Sequence, residues 1–525
     1  TLNSNSIHEK YKIPPGGRKI NYLLGTDIGT SGTKTILMDT QGKLIAQNLQ
    51  EYDVLTPKPL WAEQWPEVWE HAALASIKET VKASGINPRD IRGIAISGLY
   101  GGSGIPLDEL MNPVRPCMIW MDRRADEEAS WVLENIGEEK LLEITHNGAD
   151  PYYGYTKILW MKNHEPENWE KTRMFLPPND YVIYKMTGEI AIDYSSAGNI
   201  GGIFDMNRRE WSEEMMEAMG IPLSMMPQKI VDATDVVEGL TEEMAQGLGL
   251  WEGIPVIAGG IDCEAANRGL GVFDSGIYAA AIGTSMCAAL ISDKPVKGKG
   301  LIVWPYLYDA KKLSYYFAGG ATAGAIVKWF RNTICQFEVE AEKAGGPKAY
   351  DVLNAEAEKL PAGSEGLVVL PYFMGERSPV WDSDAKGTIL GLSLTHTRAH
   401  LYRAFLEAVA YSLRNAMEAT GENLGEYILL AGGVTKSKVW RQIFADVTGY
   451  PVVCPIYDVE ANMGDVMLAG IGTGLLTYEQ VKQWQVLDEK IMPNQQNHEK
   501  YNEYYAVYQS MYENLKEDMK KLSKI

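Results

Sequence analysis

A chain of 525 residues with 45% hydrophobic content is too long for one compact core and has the apolar share of ordinary globular packing in two or more domains. Its formal net charge of -20, from 69 acids against 49 Lys plus Arg, argues against nucleic acid or a membrane surface as partner, because both demand a cationic face. No apolar run approaches the roughly 18 residues of a spanning helix, no secretory signal is evident, and the cysteines Cys117, Cys263, Cys287, Cys335 and Cys454 form no CxxC pair, so a reduced, cytoplasmic protein without a zinc site is expected.

Residues 1–20, with Pro14, Pro15, Gly16 and Gly17, read as a loose leader. Residues 22–28, 34–39 and 44–50 read as strands, "PEVWEHAALASIKETVKAS" as an amphipathic helix opened by Pro66, and "IRGIAISG" as a buried strand. Helical stretches around 124–135, 155–164 and 210–218 lead to "GIPVIAGGID", a short apolar strand ending at an acid. The second half restarts with a hairpin at 276–291 and a strand pair near 301–318, followed by helices at 322–334, 348–358 and 398–420. "YILLAGGVTKSKVWRQIFADVTG" reads as strand, Gly-Gly turn and helix; a strand near 451–454 and a small-residue helix at 461–475 complete that half. The expected division is a first domain over 21–274, a second over 275–494, and a terminal surface helix over 495–525. His396 and His400 lack a carboxylate-flanked HExxH context and receive no chemistry.

One hairpin plan occurs twice. "LLGTDIGTSGTKTILMD" and "GIYAAAIGTSMCAALIS" are each strand, Gly/Thr/Ser turn and strand, and only the first holds an acid, Asp27. Glycines let backbone N–H groups approach a phosphate while hydroxyls add donors, so Thr30 and Ser31 in one turn and Gly283, Thr284 and Ser285 in the other are candidate phosphate ligands. Gly432 and Gly433 form a third such turn, before a helix. No GxxxxGK[ST] is present. Asp27 reads as a Mg²⁺ site, direct or through water, or as an Asx-type turn acid. Lys34 reads as a phosphate counter-charge or a solvated strand lysine. Asp262 ends a buried strand after Gly259 and Gly260, which would open space for a substrate; it reads as the base for an attacking hydroxyl or as a helix cap. Trp120, Asp122, Arg123 and Arg124 suit a polyhydroxylated ligand or form a salt-bridged helix start beside a core tryptophan, and Tyr152 and Tyr153 extend that aromatic theme.

In this order the segments "GTDIGTSGTK", "WAEQWPEVW", "GIAISG", "IWMDRRA", "VIAGGIDCEAANRGLG", "IGTS", "PYFMGERSPVWD" and "LAGGVTKSKVW" resemble the FGGY carbohydrate kinases of the sugar kinase, Hsp70 and actin superfamily. The resemblance spans about residue 22 to about residue 485. It implies an α/β fold of two ribonuclease H-like domains with a central cleft, ATP with Mg²⁺ between them, and a sugar or polyol held mainly by the first. It matches Asp262 to the catalytic base, Asp27 to the phosphate-hairpin acid, and Gly283, Thr284 and Ser285 to the second hairpin. Gly324, Gly432 and Gly433 match turns that contact nucleotide, with Ser437 close by. Trp120 and Tyr152 match sugar-contacting positions. The chain departs from its relatives where glycerol kinases carry Arg-Glu and xylulokinases carry Met-His: here Tyr100 and Gly101 stand in "GLYGG", and Cys263 follows the matched base.

The expectation is therefore a cytoplasmic, xylulokinase-like ATP-dependent kinase for a small sugar or polyol, with a homodimer as the family's implication. Tyr100, Gly101, Trp120, Asp122, Tyr152 and Asp262 are the acceptor-site candidates. A tetritol, gluconate or an autoinducer sugar stands as an alternative acceptor, and a catalytically silent regulator on the same fold as the rival from another class.

Overall fold

A computed structural model describes residues 20–100, 102–296, 300–421, 425–456 and 461–525. In chain order, the elements that matter are β1 (Tyr22–Ile28), β2 (Gly32–Asp39), β3 (Leu44–Glu51), α1 (Pro66–Ser84), β4 (Ile91–Gly98), β5 (Val236–Gly239), β6 (Pro255–Ile261) and α2 (Asp262–Gly269). After them come β7 (Tyr278–Ile282), β8 (Met286–Ser292), β9 (Ser314–Gly320), α3 (Gly324–Ile334), α4 (Ala349–Glu358) and α5 (Arg398–Glu418). Last are β10 (Ile428–Gly432), α6 (Lys438–Thr448), β11 (Val452–Val453), α7 (Ala461–Gly472) and α8 (Gln495–Leu522).

The described residues fall into two compact units. One holds the chain through Phe273, Val303–Ser314 and the described part of Val459–Gln485; the other holds Asp274–Ile302, the described part of Tyr315–Asp458, and Val486–Ile525. The division is thus discontinuous, whereas the sequence reading cut the chain once, near residue 274. In particular α7, assigned from sequence to the second half, belongs to the first unit.

The first unit is built on a six-stranded sheet in the order β5-β6-β4-β1-β2-β3. β4 is buried along its whole length, as a strand covered on both faces must be, which fits its apolar centre Ile94–Ile96. Its period-2 alternation feeds two cores. Ile94 and Ile96 join Leu24, Leu37 and the α1 residues Trp69, Ala73, Ile77 and Val81 on one face. Ala95 joins Leu23, Ile36, Ile257 and the α7 residues Val466, Met467 and Ala469 on the other. α7 can lie this close because two glycines yield room. A Cβ on Gly25 of β1 would stand 2.4 Å from the Asn462 carbonyl, and one on Gly464 would stand 1.9 Å from the Ala265 carbonyl of α2.

In the second unit, five consecutive strands of the sheet run β9-β8-β7-β10-β11. β7 and β8 are antiparallel, while β7–β10 and β10–β11 are parallel. The first unit repeats this order as β3-β2-β1-β4-β6, with β1–β2 antiparallel and β1–β4 and β4–β6 parallel. The repeated hairpin of the sequence is therefore the first strand pair of each of two equivalent sheets. Register makes the comparison residue by residue: Asp27 pairs with Ser97 on β4, and the equivalent place on β7 is Ala281, paired with Ala431 on β10. The C-terminal α8 is more than a surface helix. Tyr501, Tyr505, Tyr508 and Met511 are buried along one stripe, where the Tyr501 hydroxyl bonds Glu407 of α5 at 2.7 Å beside the Arg403–Glu407 ion pair.

Candidate active-site groups in the two units

The first hairpin turn, residues 29–32, is closed by the Gly29 amide donating to the Gly32 carbonyl at 2.9 Å. Three side chains brace it from outside. The Tyr52 hydroxyl donates to the Gly29 carbonyl (2.7 Å), the Gln64 amide to the Thr30 carbonyl (2.9 Å), and the Trp120 indole to Thr30 Oγ1 (3.1 Å). Ser31 is exposed at the tip. Lys34 stands directly across from Asp27 in the β1–β2 register, so both side chains share one face of the sheet.

Asp27 does not act alone. The Ser97 hydroxyl lies 3.4 Å from Asp27 Oδ1 and 2.9 Å from Oδ2 of Asp465 on α7. Asp465 is fully buried, and its other oxygen has no hydrogen-bond partner among the described residues. Burial pushes its carboxyl well above the usual carboxylate range, and the charges of Asp27 and Asp262 push it further. No motif pointed to Asp465, because an acid in a helix of small residues carries no local signal of what it faces.

Asp262 opens α2 at the end of β6. Its Oδ1 accepts the Cys263 amide at 2.6 Å, but the N-cap is Ile261 and no described side chain caps the helix, so the cap reading of Asp262 does not hold. Loss of water raises its pKa to about 6, against the lowering effect of that hydrogen bond. The two glycines before it do not open the space expected of them. Gly259, at φ +67°, sits in a bulge where a Cβ would meet the Ile96 carbonyl of β4 at 1.9 Å, and a Cβ on Gly260 would meet Leu307, Ser195 and Asp193 at 2.2, 2.6 and 2.9 Å. They serve close backbone packing instead. Asp193 caps the helix Tyr194–Asn199 through the Ser195 and Ser196 amides, and Ser195 Oγ in turn accepts the Ile261 amide at 3.1 Å. The segment carrying Asp262 is thereby pinned from behind.

Beside this segment is a cavity of about 10 Å³, room for roughly one water, lined by Leu99, Tyr100, Gly102, Gly104, Pro177, Ser196, Ile200 and Ile261. The Tyr100 ring packs on Tyr152 with centroids 4.9 Å apart, and the Tyr100 hydroxyl donates to the Tyr152 carbonyl at 3.2 Å. Lys157, fully buried, also donates to that carbonyl (2.7 Å) and to that of Pro151; burial lowers its pKa to about 7. Asp122 is not available to a ligand. It is fully buried, accepts the Ala62 amide at 2.7 Å, and pairs with Arg124, whose guanidinium lies 3.5 Å from the Trp61 ring centroid. The structural alternative weighed for this residue is the observed one. Gly101 lies outside the described residues.

A Mg²⁺ site at Asp27 passes a chemical test. Among the described residues no three His, Cys, Asp or Glu side chains enclose an ion, but Mg²⁺ keeps several waters and is held by one or two carboxylates plus substrate phosphates. A half-buried carboxylate beside a Gly/Thr/Ser turn, backed by an acid oxygen without a hydrogen-bond partner, suits that mode.

In the second unit, Gly283, Thr284, Gly324, Gly433 and Ser437 line one groove of about 670 Å³, within the range of small-molecule sites. The turn is closed by Gly283 N–H to the Ser285 carbonyl (3.0 Å), and the start of α3 is tied to it through the Gly324 and Ala325 amides, which donate to the carbonyls of Gly283 and Thr284 at 2.8 and 3.1 Å. Gly432 is followed by a short 3-10 turn over Gly433–Lys436, and α6 begins only at Lys438, capped by Ser437. The order read from the sequence, strand, Gly-Gly turn and helix, is observed, with the short 3-10 turn between the glycines and α6. Further lining comes from α3 and α4, through Lys328, Asn332, Tyr350, Asp351 and Asn354, and from Tyr402 of α5 and Trp440 of α6. Sequence reading missed all of these, since helix faces that line a groove have no turn chemistry to mark them.

No described helix is long and apolar enough to cross a membrane. Comparison with known proteins matches residues 22–269 to the N-terminal domain and residues 278–473 to the C-terminal domain of the FGGY family of carbohydrate kinases. A xylulose kinase of Bacillus subtilis (strain 168) is 32% identical over 490 residues, 92% of this chain and 95% of the relative. A gluconokinase of the same organism is 30% identical over 461 residues, 86% of this chain and 88% of the relative. The crystal structure of xylulose kinase from Rhodospirillum rubrum superposes with a TM-score of 0.86 at 28% identity, covering 95% of this chain and 100% of that one.

Proposed function

Since the chain belongs to the FGGY family of carbohydrate kinases and is a sugar kinase, we propose that it transfers the γ-phosphoryl group of ATP to a hydroxyl of a xylulose-type pentulose, with Asp262 as general base. The observation that carries this reading is the Asp262 carboxyl at the end of a buried strand, raised to about 6 by burial, with Oδ1 accepting the Cys263 amide. A base with that value is mostly ionised at neutral pH yet basic enough to take a proton as an alcohol attacks. The groove that holds Gly283, Thr284 and Ser437 is of a size for the nucleotide. Bound Mg²⁺, facing Asp27, would neutralise phosphate charge.

The similarity to a gluconokinase supplies the second reading. A carboxylate acceptor calls for a cation to answer its charge. The neighbouring cations are committed elsewhere: Arg123 to Asp150, Arg124 to Asp122 and Glu63, and Lys157 to backbone carbonyls. This favours a neutral sugar. ADP release measured on xylulose, ribulose, gluconate and glycerol with ATP and Mg²⁺ tests the point. Xylulose is expected to give at least about tenfold the kcat/KM of gluconate, a difference of about 1.4 kcal/mol; higher turnover on gluconate would replace the first reading by the second.

The pH profile provides a separate check. A group raised to about 6 is protonated below that value and cannot accept the acceptor's proton. The kcat/KM should therefore be flat above pH 7 and fall tenfold per unit as pH drops below about 6. A limb placed near 4, the value of an unperturbed carboxylate, would contradict the assignment.

A further inference from the structure

Asp465 is a costly residue for the place it occupies. α7 meets β1 and α2 through glycines and small apolar residues, a contact that alanine would satisfy, and burying a carboxylate there is unfavourable unless something answers it. Among the described residues its hydrogen-bond partner is the Ser97 hydroxyl, which also faces Asp27. We propose that Asp465 is a positioning residue that holds Asp27, through Ser97, in the orientation that meets the magnesium–nucleotide complex. Ser97 has one proton to donate and stands 2.9 Å from Asp465 Oδ2 and 3.4 Å from Asp27 Oδ1, so it bonds one carboxylate fully and the other only in part. Asp27 would hold the cation when bound, and Ser97, kept at Asp465, would then leave the Asp27 carboxylate free of that competition. Because β4 carries Ser97 in register with Asp27 on β1, and α7 is wedged against β1 at Gly25, the three groups are held by rigid elements.

This inference rests on reading Asp27 as the acid that faces the metal. The test is Mg²⁺ titration of ADP binding by calorimetry on the full chain, without acceptor, so that no turnover enters. Asp465→Ala and Ser97→Ala are each expected to raise the Mg²⁺ requirement about tenfold. The double variant should be no worse than either single one, because both cut the same chain of contacts. Asp465→Asn, which keeps an acceptor oxygen for Ser97, should stay within about threefold of the unaltered protein. Asp27→Ala in the same titration separates the two levels: no effect there would overturn the metal reading of Asp27 itself. A tenfold or larger effect of Asp27→Ala with an unchanged Ser97→Ala protein would overturn only the role of Asp465. Additive losses in the double variant would also overturn it. Should Asp465→Ala fail to fold, Ser97→Ala and Asp465→Asn decide the matter.

Discussion

Asp262→Asn is expected to lower kcat about 10³-fold, the usual worth of a positioned general base, while leaving ADP affinity within about twofold. The amide is isosteric and can still accept the Cys263 N–H through its oxygen, so the start of α2 should keep its geometry and only the proton acceptor is lost. Nucleotide affinity should hold because the groove carrying Gly283, Thr284 and Ser437 contains no part of α2. Single-turnover kinetics with saturating sugar, set beside calorimetric ADP binding, reads the two quantities apart. Turnover within tenfold of the unaltered enzyme would remove Asp262 from the role of base. A parallel collapse of ADP affinity would mean that the carboxylate serves binding.

Gly464→Val is expected to destabilise the first unit strongly, costing about 3 kcal/mol or more and lowering its melting temperature by roughly 6–12 °C. The added Cβ would stand 1.9 Å from the Ala265 carbonyl and 2.7 Å from its carbon. Both are backbone atoms of α2, so no side chain can swing aside, and relief requires α7 and α2 to separate. Gly247→Ala is the control: it lies in the helix Glu242–Leu248, a Cβ there meets nothing within 4 Å, and the substitution should stabilise slightly, by about 0.5–1 kcal/mol. Thermal unfolding of the two variants checks both. A Gly464→Val protein that melts within 2 °C of the unaltered chain would show that the α2–α7 contact is softer than the geometry implies.

Much of the architecture was legible before any coordinates. Period-2 runs bounded by Gly/Thr/Ser turns marked β1, β2, β7 and β8 to within two residues, and Pro66 marked the start of α1, because these signals are local: backbone geometry and alternation are written in adjacent residues. Asp262 and the turn glycines could be singled out for the same reason. Asp122 could not be resolved, since an acid beside two arginines reads alike whether it binds a hydroxyl or a guanidinium. Its burial under Ala62 and Arg124 separates the two. Gly259 and Gly260 misled because a glycine pair signals only that something comes close, and here that is β4 and the Asp193–Ser195 cap.

By itself, then, the sequence determined that a hairpin plan recurs, that one copy bears an acid and the other does not, and that an acid closes a buried strand between them; each follows from residue type at short spacing. Tertiary structure decided that both hairpins open sheets of the same strand order, that Ala281 occupies the place of Asp27, and that α7 returns to the first unit to set Asp465 behind Ser97 and Asp27. Those facts depend on contacts hundreds of residues apart. A helix of Gly, Ala, Val and Met fits many surfaces equally well, and only the close approach permitted at Gly25 and Gly464 selects the one it covers.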